Sequence, residues 1–549
     1  MLTAKRIRYV FLAAMTLIVL FFVLTACRTS SRCAHTIVTD PGREATCTAE
    51  GLSEGKHCSK CGEVLVKQEI LPAKGHTVVT EKGKTATCLE EGLSDRIYCS
   101  ECGEVFQEAA VLPKTGHSYQ LSTILTSSRT TDRAGIFCCS VCQETMEESI
   151  TCRNAGIPVL SFTGSFDEIT KTEKQSLPLL YDGGDISFRA TAVLKVQGAS
   201  SAGYPKKNYT IQLLEPGTEE KLKVELADGW GRESKYCLKA NYIDASQARN
   251  VVSGKVFGDA VHLSHSTAKF EALPNGGAVD GFPVLVFLNN EFYGLFTLNI
   301  PKDEWMFGME EEGPESRQAI LKAASWDESV YLGIHLHHNV AASGWEMVYC
   351  STADEPEVGD RWVADSFNEL VDVLNAETID RAELRKHLDI SRTIDVMLFT
   401  FMTCAGDNVA KNILWVTYDG VKWAPSIYDM DDSWGLVWHG QSYYSPTSMN
   451  PEKSLYCKAF EVLYNRYRAQ IITRYDELRS SVWSKESIRT RFQDFFDAIP
   501  QAAVEADAVR WPGVPSRDTN NFSQIAEYLD LRFAYLDPFF NYVEKERGE

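Results

Sequence analysis

Basic residues are scarce relative to acidic ones in this 549-residue chain. It has 55 lysines and arginines against 75 aspartates and glutamates, which gives a formal net charge of −20 at pH 7. A nucleic-acid-binding surface needs an excess of lysine and arginine to neutralise phosphates. The charge balance therefore excludes nucleic acid as a partner.

Cysteine is scarce over most of the chain, since residues 153–549 contain only four of the 16 cysteines. The other 12 lie between residues 27 and 152. This uneven distribution predicts two kinds of structure. They are a cysteine-rich segment over residues 28–152 and a larger domain over residues 153–549.

The N-terminus combines basic residues with a long apolar run. Lys5, Arg6 and Arg8 precede YVFLAAMTLIVLFFVLTAC, which is the pattern of an export signal. The run ends in LTAC, which resembles the lipobox of bacterial lipoproteins and predicts a lipoprotein signal peptide over residues 1–27, with a lipid on Cys27. An uncleaved membrane anchor is the alternative. Both hypotheses predict an extracytoplasmic protein that is tethered to the cell membrane.

The cysteine-rich segment repeats itself with a period of 41 residues. ATCTAEGLSEGKHCSKCGEVL at 45–65 recurs as ATCLEEGLSDRIYCSECGEVF at 86–106, and a degenerate third copy survives as GIFCCSVC. Each copy offers three cysteines and a histidine, which predicts either a closed zinc site or, outside the cell, disulfide bonds. The candidate residues for zinc or disulfides are Cys47, Cys58, Cys61, His76, Cys88, Cys99, Cys102 and His117.

Neither hypothesis makes the repeats catalytic, because a closed four-ligand site leaves no open coordination position. The copies resemble small cysteine-rich β-hairpin repeats that serve as spacers or adhesive modules in surface proteins of Gram-positive bacteria. We therefore interpret this segment as a stalk.

Beyond residue 157 the alternation of apolar residues and the turn signals predict a mixed α and β domain. A helix that follows Asp244, and then a hairpin that turns at NNEF, come after the first strands. After residue 359 the pattern becomes helical. The first predicted strands are 157–162, 185–198, 208–214 and 235–242.

Acidic and amide side chains are concentrated in AGDNVAKNILWVTYDGVKWAPSIYDMDDSWG at 405–435. Asn412 follows Asp407 by five positions, and Asp429 and Asp431 follow a predicted two-strand hairpin. Protein kinases use this order for a catalytic aspartate, a metal-binding asparagine and a metal-binding aspartate. Plain turn or cap roles for the same residues are the alternative. The order of the residues favours catalytic and metal-binding roles over these structural ones.

Four separated segments resemble the CotH family, the spore-coat-protein-H-like atypical protein kinases. The resemblance implies an α+β, bilobed protein-kinase-like fold that binds ATP and Mg²⁺ and phosphorylates protein hydroxyls. The segments are LKVQGASSAGYPKKNYTIQL, KYCLKANYIDASQARNVVSGKV, GAVDGFPVLVFLNNEFYGLFTLNIPKDEWMF and DNVAKNILWVTYDGVKWAPSIYDMDDSWG.

The same resemblance implies a role for individual residues. Asp407 would be the catalytic aspartate, and Asn412, Asp429 and Asp431 would bind the metal. Lys207 and Lys239 remain alternatives for the lysine that contacts phosphate. The residues implied for nucleotide binding are Gly198, Ser200, Ser201, Lys206, Lys207, Lys239 and Arg249.

One departure from the family pattern bears on function. The family commonly has RGNSS at the glycine turn, whereas this chain has QGASS, so that Gln197 and Ala199 remove a charge and an amide.

The sequence therefore predicts two alternative functions. The first is an extracytoplasmic protein kinase that phosphorylates serine or threonine of protein substrates at the cell surface. The second is a catalytically inactive scaffold or adhesin with a pseudokinase domain.

Overall fold

The structure of the chain is a computed structural model, which divides into two compact units. The first ends at His117, and the second begins at Ser118. The predicted signal peptide and the lipidation site at Cys27 lie outside the described residues. Within the described ranges no helix is long and apolar enough to cross a bilayer. The structure describes residues 33–125, 133–264, 268–273, 275–309, 316–352, 361–516 and 522–544.

The first unit consists of small antiparallel sheets that recur with the sequence period, as the repeat pattern predicts. The three-stranded sheets are β1 (Ile37–Asp40), β3 (Gly55–Cys58) and β4 (Val64–Val66), and then β6 (Val78–Glu81), β8 (Arg96–Cys99) and β9 (Val105–Gln107). The strand pairs are β2 (Gly51–Leu52) with β5 (Ile70–Leu71), and β7 (Gly92–Leu93) with β10 (Val111–Leu112).

Each hairpin of the first unit turns at a CxxCG motif. Gly62 and Gly103 have φ angles of 73° and 74°, a left-handed conformation that residues with a Cβ adopt at a cost. Their amides donate hydrogen bonds to the carbonyl oxygens of Cys58 (2.8 Å) and Cys99 (2.9 Å). The glycine therefore closes the turn that holds the two cysteines of the motif.

The second unit begins with an antiparallel sheet that contains the degenerate third copy, and continues into a closed barrel. The sheet and the helix after it are β11 (Tyr119–Ile124), β12 (Ala134–Cys139), β13 (Thr145–Ser149) and α1 (Cys152–Ala155). The barrel strands are β14 (Val159–Phe162), β15 (Gln175–Asp182), β16 (Ser187–Gln197), β17 (Asn208–Leu214), β18 (Lys235–Lys239), β19 (Gly281–Leu288) and β20 (Glu291–Asn299).

The barrel has the strand order β14-β15-β16-β17-β18-β20-β19, and β14 closes it by pairing in parallel with β19. The predicted hairpin is confirmed as β19 and β20, joined at Asn289 and Asn290, both of which have positive φ as a tight hairpin turn requires. Strand β15 was missed, because Pro178 lowers its strand propensity.

Helix α2 (Arg249–Val261) lies between β18 and β19 in the sequence. The Asp244 side chain accepts a hydrogen bond from the Arg249 amide (3.0 Å), so it holds the helix start as predicted. The helix itself begins at Arg249 rather than at residue 245, because Gln247 has a φ of 62°, which a right-handed helix excludes.

The remainder of the second unit is a four-stranded antiparallel sheet packed with helices. The sheet has the order β22-β21-β23-β24, and these strands are β21 (Ala319–Ala323), β22 (Trp345–Cys350), β23 (Ile413–Thr417) and β24 (Trp423–Ile427). The helices are α3 (Ala268–Glu271), α4 (Arg361–Asn375), α5 (Arg381–His387), α6 (Ile390–Thr403), α7 (Lys458–Arg466), α8 (Arg468–Arg479), α9 (Lys485–Asp497), α10 (Gln501–Arg510) and α11 (Ser523–Leu536).

A continuous hydrophobic core runs through the second unit, from Leu121 to Tyr542. It joins the barrel to the sheet and to the helices around α6, which is buried along nearly its whole length. The predicted mixed α and β content is thereby confirmed.

Candidate functional site

A cleft of about 1330 Å³ lies between the barrel and the four-stranded sheet of the second unit. Strands β16 and β18 line one side, and β21, β22 and the residues after β24 line the other. Typical small-molecule sites measure roughly 300–1,000 Å³. The cleft is therefore large enough for a nucleotide together with part of a second substrate.

The predicted glycine and serine turn lies at the cleft. Gly198, Ser200 and Ser201 all line it. Gly198 has a φ of 111°, and a Cβ added there would overlap the Ser201 hydroxyl oxygen. Only glycine fits this turn without strain. Because glycine has no side chain, nothing at this position separates the backbone from the cleft.

Lys239 and Asp429 form an ion pair in the cleft, with 3.5 Å between Nζ and Oδ1. Burial lowers the pKa of Lys239, but the charge of Asp429 and the smaller contributions of other neighbouring groups together outweigh burial, and the net pKa lies above the usual lysine value. Burial likewise raises the pKa of Asp429, but neighbouring ammonium groups outweigh it and the net pKa is lowered. The lysines responsible are Lys239, Lys322, Lys411 and Lys302.

Two lysines that the sequence analysis missed also line the cleft. Lys302 and Lys322 share one carboxylate, because Glu346 lies 2.5 Å from the first ammonium and 3.9 Å from the second. Burial, and then the charge of Lys302, lower the pKa of Lys322. A single carboxylate leaves part of this positive charge uncompensated, so this side of the cleft suits an anion.

Asp407 is held by three donors. Its carboxylate accepts hydrogen bonds from the Trp326 indole (2.9 Å), the Lys411 ammonium (3.0 Å) and the Asn412 side-chain amide (3.4 Å). Asn412 has a φ of 61° and Asp429 a φ of 55°. Left-handed backbone at residues other than glycine costs energy and concentrates at functional sites.

Asp432, which follows the predicted ligand Asp431, is a cleft residue that the sequence analysis missed. Its Oδ2 accepts the Asp407 amide (3.1 Å), whereas its Oδ1 is buried without a hydrogen-bond partner. Burial, and then the charges of Asp407 and Asp431, raise the pKa of Asp432 well above its ordinary value. The DMDD sequence contained the signal, as a third acid next to two candidate ligands.

The acidic side of the cleft fits a divalent cation. Burial, and then the charge of Asp429, raise the pKa of Asp431 well above its ordinary value, so a cation would relieve both burial and repulsion. Carboxylate and amide oxygens are the ligands that Mg²⁺ prefers. Among the described residues these acids do not form a group whose ligand oxygens all lie within 4.8 Å of one another.

The structure does not bring three of the predicted nucleotide-binding residues to the cleft. The Lys206 ammonium is buried against the Asp507 carboxylate (2.9 Å). Lys207 donates to the carbonyl oxygens of Ala202 (2.7 Å) and Tyr204 (3.3 Å). Of the two lysines left as alternatives, Lys239 is the one that lines the cleft.

Arg249 is the third of these residues, and it lies behind the acidic segment instead of lining the cleft. Its guanidinium donates to the Ser433 carbonyl oxygen (2.9 Å). The neighbouring Asn250 side chain accepts the Met430 amide (2.7 Å). Helix α2 therefore fixes the backbone on both sides of Asp431.

We expect Asp432→Asn to stabilise the metal-free protein by about 1 kcal/mol or more, since one pKa unit corresponds to about 1.4 kcal/mol. The raised pKa means that the ionised carboxylate costs stability, in full above the folded pKa, and that this cost shrinks as the pH falls below the folded pKa and is gone below the unfolded pKa. The gain should therefore shrink at acidic pH.

Urea unfolding in EDTA at several pH values measures this effect. Asp372→Asn is the matched control, because Asp372 lies exposed on α4 and pairs with His335. A loss of stability in Asp432→Asn at neutral pH would contradict the expectation.

These features define a class of protein. An α+β unit whose cleft brings ammonium groups and carboxylates together, with a glycine turn at the edge, is kinase-like. The family comparison agrees, since residues 194–536 match the family described as CotH kinase protein. This match covers well over half of the 549 residues, and the chain belongs to the CotH family. No curated protein has a significant match to the chain.

Proposed function

We propose that this chain is an atypical protein kinase that transfers the γ-phosphoryl group of ATP to serine or threonine hydroxyls of proteins, with Mg²⁺ as the metal. The barrel and the helical part with its sheet would be the two lobes of a bilobed kinase-like fold. The observation that carries the proposal is the meeting of the Gly198 turn, the Lys239–Asp429 pair and Asp407 in one cleft.

Asp407 would act as the base. It would take the proton of the acceptor hydroxyl while that oxygen bonds to the γ-phosphorus and the bond to the leaving ADP oxygen breaks. The donors Trp326 and Asn412 orient its carboxylate for this task. A base must lie within hydrogen-bond reach of the proton that it takes, so this orientation would contribute to catalysis.

Metal and phosphates would occupy the centre of the cleft. Mg²⁺, when bound, neutralises charge on the phosphate oxygens. Asn412, Asp429 and Asp431 would hold it, with Asp432 as a further acid. Lys239 and Lys322 would contact phosphate oxygens, and phosphate would replace Glu346 as the partner of Lys322.

The adenine would lie against residues 298–303. Pro301, Lys302 and Asp303 from this segment line the cleft, directly after β20. A kinase hinge has the same position in the chain order, after the strand that leaves the first lobe. The segment therefore supports nucleotide binding at this end of the cleft.

We further propose that the protein works outside the cytoplasm. The export signal and the LTAC sequence support a lipid anchor on Cys27 in the cell membrane. Its substrates would then be surface or coat proteins.

A second candidate function is a surface scaffold with an inactive kinase-like domain. Gln197 and Ala199 line the cleft at the positions where the family commonly has arginine and asparagine. The loss of one cation beside the glycine turn weakens phosphate binding and favours this alternative.

Phosphate transfer and thermal unfolding together separate the two functions. The purified full chain is incubated with Mg²⁺, γ-³²P-ATP and myelin basic protein as a generic acceptor, and its melting temperature is measured with and without Mg-ATP. We expect labelling of protein together with a raised melting temperature. A raised melting temperature without labelling supports the scaffold, and no change in either measurement refutes nucleotide binding.

We expect Gly198→Ala to weaken ATP binding about tenfold or more. The added Cβ collides with Ser201, and a left-handed φ at alanine costs roughly 1–3 kcal/mol, so the turn must move away from the cleft. Isothermal titration with Mg-ATP measures the affinity. Gly203→Ala is the matched control, because Gly203 ends the same turn and a Cβ there has no neighbour within 4 Å. Equal affinities in both variants would contradict the role of the turn.

A further inference from the structure

The first unit has almost no hydrophobic core. Aliphatic side chains such as Ile37, Val64 and Ile70 are exposed on its surface. Small domains that bury so little apolar surface need a covalent or metal cross-link to stay folded. Within the described residues 33–117, the buried side chains of the apolar class are Ala45, Cys47, Cys58, Cys88 and Cys99.

The cysteines meet histidines in two four-residue groups, in each of which all the ligand atoms lie within 4.8 Å of one another. The first group consists of Cys33, His35, Cys58 and Cys61, and the second of Cys47, His76, Cys99 and Cys102. Cys33 and His35 complete the first group. Cys88 and His117, one period beyond Cys47 and His76, again lie within 4.8 Å of each other.

The distances within the groups match a tetrahedral zinc ion. The sulfurs of Cys33 and Cys58 are 3.8 Å apart, as are those of Cys47 and Cys99. With Zn–S bonds of about 2.3 Å, tetrahedral angles place two sulfurs about 3.8 Å apart. A disulfide needs about 2.05 Å.

The sulfur to nitrogen distances agree as well. Nδ1 of His35 lies 3.5 Å from the Cys61 sulfur, and Nδ1 of His76 lies 3.5 Å from the Cys102 sulfur. A Zn–N bond of about 2.0–2.1 Å combined with a Zn–S bond of about 2.3 Å gives about 3.5 Å for this edge of the tetrahedron.

Each histidine also has a carboxylate behind it. Nε2 of His35 lies 3.6 Å from Glu63, and Nε2 of His76 lies 3.3 Å from Glu104. Both glutamates follow the CxxCG turn of their copy. A carboxylate on the far nitrogen fixes the ring and its tautomer, as is usual for zinc-binding histidines.

We propose that these two groups are structural Zn²⁺ sites with three thiolates and one imidazole each, and that the second site joins adjacent copies of the repeat. Cys47 belongs to the copy at 45–65, whereas Cys99 and Cys102 belong to the copy at 86–106. Soft thiolates in tetrahedral geometry select zinc over Mg²⁺ or Ca²⁺. Cys33 takes the place of the missing upstream copy in the first site.

Zinc content and thiol content of the purified full chain test the sites. Atomic emission should give at least two zinc ions per chain, and a thiol reagent should find the ligand cysteines reduced after denaturation in EDTA. Chains without zinc whose ligand cysteines are oxidised in pairs would overturn the proposal. Phosphate transfer is not part of this measurement, so its outcome is independent of the proposed kinase function.

Paired substitutions test the link between copies. Cys47→Ser and Cys99→Ser should each lose about one zinc ion, and the double variant should also lose one, because both residues belong to one site. Cys47→Ser with Cys58→Ser should lose two. His57→Ala is the matched control and should keep all zinc, since His57 pairs with Asp40 instead (2.9 Å). Loss of two ions in the Cys47 and Cys99 double variant, with one ion lost in each single variant, would overturn the link.

A milder change covers the case in which a cysteine variant fails to fold. Glu104→Gln keeps every ligand and should weaken zinc binding at one site about 10–100-fold, measured by competition with a chelator. Glu101→Gln, inside the same CxxC motif, should leave the affinity unchanged. Equal affinities of the two variants would overturn the assignment of Glu104.

Discussion

Replacing Asp429 by asparagine should reduce Mg²⁺-dependent phosphate transfer at least about 100-fold. One charged group that is aimed at the reacting phosphates commonly contributes 10²–10³ in rate. Asp429 is held in a left-handed backbone conformation opposite Lys239, and several lysines lower its pKa, so its carboxyl group is ionised at neutral pH. Asparagine tolerates the same φ, so the substitution removes charge while it keeps the shape.

The measurement is the initial rate of ³²P transfer at saturating ATP over a range of Mg²⁺ concentrations. Asp372→Asn, which removes an exposed acid far along the chain, should keep the full rate. Circular dichroism on both variants shows whether the fold is intact. A rate for Asp429→Asn within twofold of the wild type would rule out Asp429 as a metal ligand.

Lys206→Met should destabilise the protein by about 3–5 kcal/mol and leave the KM for ATP unchanged. The Lys206 ammonium is 1% exposed, donates to Asp507 and to the Leu295 carbonyl oxygen (2.5 Å), and lies 4.5 Å from the centre of the Phe296 ring. The substitution leaves the buried Asp507 carboxylate without its ammonium partner, and breaking a buried ion pair in this way strongly destabilises a protein.

Urea unfolding and ATP kinetics below the transition distinguish this structural role from phosphate binding. Lys207→Met is the control, and it should cost only about 1 kcal/mol, because Lys207 has two carbonyl partners and no buried ion pair. The double variant Lys206→Met with Asp507→Leu should recover much of the loss. A raised KM for ATP with unchanged stability would contradict the structural role and show that Lys206 contacts the phosphates.

The elements with strong local patterns could be predicted from the sequence. Alternating apolar residues identified β16 and β17, and the Asn289–Asn290 pair identified the hairpin turn, because both signals arise within a few residues. Strand β15 lacked such a clear signal, because Pro178 interrupts its pattern. The predicted start of α2 was too early, because the sequence pattern did not indicate the left-handed conformation of Gln247.

The residues of the candidate site likewise differ in how well the sequence predicts them. Asp407, Asn412 and Asp429 lie within one short segment, so their order alone indicated a kinase-like cleft. Lys302 follows β20 and Lys322 lies on β21, both far from that segment in the sequence, and a lysine in or beside a strand is most often a plain surface residue. Their common neighbour Glu346 becomes visible only in the folded chain.

Lys206 is the opposite case, because it was predicted for the site but does not line the cleft. Its place beside the glycine turn made it a phosphate candidate, but its partner Asp507 follows 301 positions later in the chain. No local pattern reveals such a partner. The predicted acids therefore line the cleft, whereas Lys206, Lys207 and Arg249 among the predicted cations do not.

In the proposed zinc sites, the sharing of ligands between neighbouring copies has a consequence for the length of the first unit. Each 41-residue copy carries one upstream cysteine for the next copy and its own CxxC motif and histidine. Insertion of a whole copy would therefore add one complete site, whereas insertion of a partial copy would leave ligands without a metal. The first unit can thus lengthen only in steps of a full copy.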